Sequence, residues 1–168
     1  MIRFLALGVA LLGVCSAAFA EEVEGVNLPE TLTFEGQTLT LNGSGVRTKY
    51  RIPIYVAALY LKKMSPDAES ICDADQPMAI RMHMVYGRLT GDQMVGAIEE
   101  GFAKATGGDT APFARELEML TSSVEHVAVD DVVDIYYLPG VGLGVLLNGE
   151  YRGGADNLEF KKAVFRIW

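Results

Sequence analysis

Runs of alternating apolar and polar residues recur along the chain, and each such run predicts a β-strand. Residues 31–41 alternate around a break at Glu35-Gly36, which is typical of a hairpin. The segment Asn42-Gly43-Ser44-Gly45 indicates a second turn, and strands are expected at residues 46–51 and 54–62. The strand at 54–62 is apolar on both of its faces, so we expect it to be covered on both sides.

The second half of the chain continues this pattern, with strands predicted at residues 78–86, 131–138 and 141–147. Pro139-Gly140 is typical of a turn between the last two strands, and Asn148-Gly149 predicts a hairpin turn directly after them. The glycines of residues 140–144 lack the spacing of a phosphate-binding loop and have no helix after them. They therefore predict a hairpin in which two backbones pass closely.

Other segments have helical features. Thr90-Gly91-Asp92-Gln93 has the pattern of a capping box, and it opens a helix that has Met94 on its apolar face and ends at Gly107-Gly108. Two further helices are expected at residues 111–123 and 156–168. Residues 64–77 are expected to form a loop or a short helix. The elements together predict an α+β fold, in which a mostly antiparallel sheet has helices packed on one face.

The first 20 residues have the layout of a secretory signal peptide. Arg3 precedes a short apolar run, and Ala18-Phe19-Ala20 is an A-x-A cleavage pattern. We expect cleavage after Ala20, one domain at residues 21–168 and a periplasmic or secreted location. A retained membrane anchor is the alternative, but the apolar run is short for a span of about 20 residues. Lipidation of Cys15 is a second alternative.

The composition is that of an ordinary globular protein, with 50% hydrophobic and 21% charged residues. A net charge of −8 argues against nucleic-acid binding, which needs a basic surface. Two cysteines and two histidines offer little material for a metal site, and no cofactor motif is present. We expect Cys72 to behave as a buried small hydrophobe and His83 to be a solvated strand residue.

Arg47, Lys49 and Arg51 form a local positive stripe in this acidic chain, and Tyr55 and Tyr60 follow in the apolar strand. An arginine and a tyrosine hydroxyl that face one cleft would suit a carboxylate or an enolate, because a guanidinium offers a bidentate fork. From the residues alone, an edge strand protected by positive charge is the alternative.

Residues 41–61, LNGSGVRTKYRIPIYVAALYL, resemble the opening motif of the chalcone isomerase-like superfamily, a Gly-x-Gly-Val-Arg turn and a strand ending in Tyr-Leu. Residues 134–149, DIYYLPGVGLGVLLNG, resemble its paired strands, and the C-terminal FKKAVFRIW resembles its last helix. The resemblance covers about residues 30–168 and is greatest to bacterial secreted members. It implies an open-faced β-sandwich, with a large antiparallel sheet curved over a layer of helices and a ligand cleft between them.

In plant chalcone isomerases, the arginine that matches Arg47 stabilises the negative charge that develops during ring closure. The resemblance places Tyr55 at a family threonine, and it places Met94 and Gly101 at a tyrosine and an asparagine of the helix region. Neither Met94 nor Gly101 has a side-chain hydrogen-bond donor, so the polar groups needed for catalysis are depleted.

Fatty-acid-binding members of the superfamily pair the arginine with a tyrosine, as Arg47 and Tyr55 do here. The resemblance thus implies a small amphipathic acid, such as a fatty acid, held by a buried Arg47 and Tyr55, with its chain in an apolar cleft beside Met94. No membrane span is expected after signal cleavage. The alternatives are an isomerase or lyase of chalcone isomerase type acting on an unidentified substrate, and a non-catalytic partner-binding protein.

Overall fold

The computed structural model describes residues 19–88 and 90–168. The predicted signal peptide falls mostly on residues 1–18, which lie outside this part of the chain. A short 3-10 helix spans Ala111–Phe113. The elements follow in the order β1 (Phe19–Val23), β2 (Val26–Pro29), β3 (Thr31–Phe34), β4 (Gln37–Lys49), β5 (Ile52–Leu61), α1 (Ala68–Asp73), β6 (Met78–Met84), α2 (Gly91–Ala105), α3 (Ala114–Val124), β7 (Val132–Leu138), β8 (Gly142–Leu147), β9 (Glu150–Ala155) and α4 (Leu158–Phe165).

Strands β3 to β9 form one antiparallel sheet in which each strand pairs with the next in sequence. The predicted α+β fold is therefore confirmed. Both residues of Glu35-Gly36 and of Asn148-Gly149 have positive φ, as the hairpin turns that suit twisted strands require. These two predicted turns are confirmed.

The turn predicted at Asn42-Gly43-Ser44-Gly45 is wrong, because β4 is one strand of 13 residues that passes through this segment. The strand has an irregularity at Asn42, whose side-chain oxygen accepts a hydrogen bond from the backbone N–H of Ser65 at 2.8 Å. The chain reverses instead at Tyr50 and Arg51, which both have positive φ. Arg51 thus lies in a turn and does not extend the basic stripe along the strand.

The face of the sheet that packs against the helices contains the larger core. Side chains of β5 to β8 meet apolar side chains of α2, α3 and α4 there, including the buried residues Met82, Ile98, Phe102, Leu120, Ile135 and Phe160. The capping box predicted for α2 is present, since Thr90 and Gln93 exchange side-chain and backbone hydrogen bonds. This start fixes the position of α2 over the sheet.

The opposite face of the sheet has a second, smaller core under β3 and the β1–β2 hairpin. The predicted covering of β5 on both faces is therefore confirmed, whereas the β1–β2 hairpin itself was not predicted. The buried Tyr60 of β5 donates a hydrogen bond to the carbonyl oxygen of Pro29 at 3.0 Å, which ties the hairpin to the sheet. Because β5 is covered on both faces, the residues that point to either side of this strand are apolar.

The predicted close passage of backbones in the glycine-rich hairpin is also confirmed. A Cβ at Gly142 would lie 2.6 Å from the backbone carbonyl oxygen of Ala155 in β9. A Cβ at Gly144 would lie 2.4 Å from the ring of Tyr136 on the paired strand β7. Between the neighbouring strands β6 and β7, Arg81 donates two hydrogen bonds of 2.7 Å to the carboxylate of Asp134. These contacts fix the register on the side of the sheet away from the helices.

Candidate functional site

A cavity of about 560 Å³ lies between the strands β4 and β5 and the helices α1 and α2, with the end of the chain after α4 at its edge. Its volume is within the range of about 300–1,000 Å³ that is common for small-molecule sites. The residues that line it are mostly small or apolar, and they include Gly43, Gly45, Ala57, Leu59, Ile71 and Ile98.

The register of β4 and β5 sets the polarity of this cavity. Arg47 lies directly opposite Tyr55, so both side chains project from the same face of the sheet. The next pair along that face joins Gly45 to Ala57. Met94, only 2% exposed, forms part of the cavity wall on the helix side. The structure thus brings the three predicted residues Arg47, Tyr55 and Met94 into the lining of one cavity.

Arg47 is exposed, so the expectation that it is buried is wrong. The reason is its place in the sheet. Strand β3 pairs only with residues 37–40 of β4, and within the described residues the rest of β4 has β5 as its sole neighbour in the sheet. The guanidinium therefore lies at the rim of the cavity, where water can solvate it.

Tyr55 is only 7% exposed, and burial raises the pKa of its hydroxyl above 10. A hydrogen bond from Trp168 and the positive charge of Arg47 both oppose this shift without outweighing it. The hydroxyl is therefore protonated at neutral pH. Its oxygen accepts a hydrogen bond of 2.8 Å from the indole Nε1 of Trp168, which leaves the hydroxyl hydrogen to donate elsewhere.

Trp168 is a site residue that the sequence reasoning missed. It follows α4 and lies 113 positions after Tyr55, so no local spacing relates the two residues. The available signal was the Ile-Trp end of the chain, together with the fact that Trp168 is its single tryptophan. The indole brings a second polar group to the end of the cavity where Arg47 and Tyr55 lie.

Gly101 lines the cavity without a side chain, and it also contacts the segment after α4. A Cβ at Gly101 would lie 2.6 Å from Cγ2 of Ile167, which is closer than two non-bonded carbon atoms normally approach. Ile167 therefore packs into the space that a larger residue at position 101 would need. The helix side of the cavity has the thioether of Met94 and this apolar contact at the two positions where the resemblance implied polar groups in chalcone isomerases.

The rim of the cavity beside α2 is charged. Lys104 donates a hydrogen bond of 2.6 Å to Glu100, and this contact is the main cause of the lowered pKa of the Glu100 carboxyl. The positive charges of Arg47 and Lys49 lower that pKa further. Three cations thus lie near one carboxylate, which makes this rim favourable for an anion in an otherwise acidic protein.

Helix α1 forms the wall of the cavity at the Cys72 side. Cys72 is a free, half-buried thiol, and burial raises its pKa, which disfavours the nucleophilic thiolate. The fully buried Lys161 donates hydrogen bonds to the carbonyl oxygens of Cys72 and Ala74, at 2.9 and 2.6 Å. A cation on the last carbonyls of a helix is favourable, so Lys161 holds this wall in place.

In residues 19–88 and 90–168, no three His, Cys, Asp or Glu side chains are grouped closely enough to hold a metal ion. None of the helices formed by these residues is long and apolar enough to cross a membrane.

Comparisons with known proteins agree with this architecture. The family described as chalcone isomerase-like matches residues 20–168. Among solved structures, the fatty-acid binding protein AtFAP1 of Arabidopsis thaliana is similar, with a TM-score of 0.64 and 18% sequence identity. The similarity covers 83% of this chain and 82% of that protein, and at this identity it concerns the fold. No curated protein matches the chain.

Proposed function

The chain belongs to the chalcone isomerase-like family, and we propose that it binds a fatty acid or a similar amphipathic carboxylate in the cavity between β4–β5 and the helices. One observation carries the proposal. Arg47 and Tyr55 are direct partners in the sheet, and they place two hydrogen-bond donors at one end of a cavity that is otherwise mostly small and apolar. A carboxylate accepts from both donors, while an acyl chain suits the remainder.

The apolar part of the cavity would supply most of the affinity. Each buried methylene contributes about 0.8 kcal/mol, which is about a fourfold gain in affinity. The side chain of Met94 can adapt to a flexible chain, because a thioether has few conformational restraints. Affinity should therefore rise with chain length until the cavity is full.

Two further observations support a fatty acid. AtFAP1, which shares the fold, is described as a fatty-acid binding protein. On the helix side, Met94 and the Gly101–Ile167 contact supply no donor for charge that develops within a bound molecule. This set of groups suits a bound anion better than it suits the isomerase or lyase alternative.

The location of the protein is part of the proposal. We propose that residues 1–20 are a signal peptide cleaved after Ala20, which would place the protein in the periplasm or outside the cell. The A-x-A pattern that ends at Ala20 supports this. Intact-mass measurement of protein recovered from the periplasm tests it, and a mass that includes Met1 or a lipid on Cys15 would contradict it.

Delipidated protein titrated with decanoic acid tests the binding proposal. Calorimetry measures the affinity, and the fluorescence of Trp168, the single tryptophan, reports on the cavity directly. We expect saturable binding with one acid per chain and a change in Trp168 emission. The variant Tyr55→Phe should weaken this binding. Tyr151→Phe is its matched control, because Tyr151 is 63% exposed and does not line the cavity. Absence of binding, with emission unchanged, would overturn the proposal and leave the partner-binding alternative.

A further inference from the structure

We propose that Trp168 is a positioning residue that directs the Tyr55 hydroxyl into the cavity as a hydrogen-bond donor, and that it thereby makes the site select an acid over the alcohol of equal chain length. This inference rests on the proposed function, since it concerns the head group of the same ligand. It adds a residue and a specificity that the pairing of Arg47 with Tyr55 does not by itself provide.

The direction of the hydroxyl follows from what each partner can do. An indole Nε1–H donates and has no lone pair to accept, so the 2.8 Å contact can only run from Trp168 to the Tyr55 oxygen. Arg47, the direct partner of Tyr55 in the sheet, can also only donate, because a guanidinium has no acceptor atom. Within residues 19–88 and 90–168, the Tyr55 hydroxyl donates to no protein group. Its hydrogen is therefore available to a ligand.

Burial makes this unused donor costly unless something accepts it. Tyr55 is more than nine-tenths buried and lines the cavity. The tyrosine oxygen already accepts from Trp168, and only the hydroxyl hydrogen has no protein acceptor, so a ligand with a strong acceptor is favoured at this position. A carboxylate offers acceptor oxygens only. An alcohol has its own hydrogen to place among donors, and it carries no charge for Arg47.

The position of Trp168 is set by the residues just before it. Ile167 packs tightly against Gly101, since a Cβ added at Gly101 would lie only 2.6 Å from Cγ2 of Ile167. The backbone N–H of Ile167 donates to the carbonyl oxygen of Val164 at 3.1 Å, which continues the last turn of α4. Arg166 forms an ion pair with Asp73 of α1 at 2.5 Å. The indole is thus held beside Tyr55 from both sides of the cavity.

Removal of the indole N–H of Trp168 should change the affinity of the site for an acid more than its affinity for an alcohol. Trp168→Phe keeps a smaller aromatic ring and removes the N–H donor, so the Tyr55 hydroxyl can turn and accept a hydrogen bond from an alcohol. We expect the affinity for decanoic acid to fall about three- to tenfold, the range of one neutral hydrogen bond. The affinity for decanol should change less, so the preference for the acid should narrow.

A double-mutant cycle tests the inference. Wild type, Trp168→Phe, Tyr55→Phe and the double variant are titrated by calorimetry with decanoic acid and with decanol, at a pH where the acid is ionised. If Trp168 acts through Tyr55, the double variant should bind the acid no more weakly than Tyr55→Phe alone. In addition, Tyr55→Phe should shift the emission of Trp168 in the unliganded protein, while Tyr151→Phe should not.

The outcomes separate this inference from the proposed function. Additive losses in the cycle, or an acid-to-alcohol preference that is unchanged in Trp168→Phe, would overturn the role of Trp168 while the acid still binds. Wild type that binds neither compound would instead overturn the proposed function. Thermal unfolding of each variant shows whether it is folded. Trp168→Tyr restores a donor on an aromatic side chain, so it should recover part of the preference for acid over alcohol that Trp168→Phe loses.

Discussion

Replacing Tyr55 with phenylalanine should weaken acid binding more than replacing Arg47 with alanine does. The charge on Arg47 would by itself favour the opposite order, because a charged group forms the stronger contact when both groups are buried. The structure reverses this order, since Arg47 is exposed at the rim and Tyr55 is 7% exposed inside the cavity. Solvation of the guanidinium weakens its attraction to a carboxylate, whereas little water reaches the tyrosine.

The expected magnitudes follow from these two environments. An exposed ion pair contributes about 0.2–1 kcal/mol, so Arg47→Ala should weaken the binding of decanoic acid about 1.5- to 5-fold. A hydrogen bond to a charged group contributes about 1.5–3 kcal/mol, so Tyr55→Phe should weaken binding about 10- to 150-fold.

Salt distinguishes the two contributions in the same calorimetric assay. Raising the ionic strength from about 0.1 M to 1 M shortens the Debye length from about 10 Å to about 3 Å and screens exposed charges. The loss caused by Arg47→Ala should therefore shrink at high salt, while the loss caused by Tyr55→Phe should persist. A larger, salt-insensitive loss in Arg47→Ala would refute the reasoning, because it would mean that the ligand buries the guanidinium completely.

Three further predictions concern the walls of the cavity. Gly45→Val should lower the affinity for decanoic acid tenfold or more without loss of thermal stability, because Gly45 has no positive φ and no atom within 4 Å, so the new side chain enters the cavity; unchanged calorimetry would contradict this. Gly101→Ala should displace Ile167, shift the emission of Trp168 and cost about 1–3 kcal/mol of unfolding free energy in denaturant titrations; an unshifted spectrum would contradict it. Burial lowers the pKa of Lys161 to about 8, so between pH 8 and about 10.4 the unfolded chain binds more protons. The stability of wild type should therefore rise with pH relative to Lys161→Met by at most about 3 kcal/mol, and a fall in that window would contradict the sign.

Local chemistry explains which parts of the fold were predictable. Both residues of Glu35-Gly36 and of Asn148-Gly149 have positive φ. A glycine in such a pair between two alternating segments is typical of a two-residue hairpin turn. The capping box of Thr90 and Gln93 likewise depends on residues three apart. These features are determined within four or five residues, so a reading of the sequence finds them.

The features that were missed depend on distant parts of the chain. Gly43 and Gly45 are typical of a turn, but here they lie inside a strand and leave open space beside the cavity. The exposure of Arg47 depends on how far β3 extends along β4, and the contact of Trp168 with Tyr55 joins residues 113 positions apart. No periodicity in the sequence contains this information.

The distribution of donors around the cavity determines what the site can do. Arg47, Tyr55 and Trp168 all lie at one end of the cavity lining, whereas Met94 and the Gly101–Ile167 contact occupy the helix side. A reaction that moves negative charge within a bound molecule needs donors where the charge develops as well as where it begins. Two other donors line this cavity, but Ser44 donates to Glu21 and Lys104 donates to Glu100. The arrangement therefore favours the proposed binding of a ligand whose charge stays on its terminal group over a reaction that closes a ring.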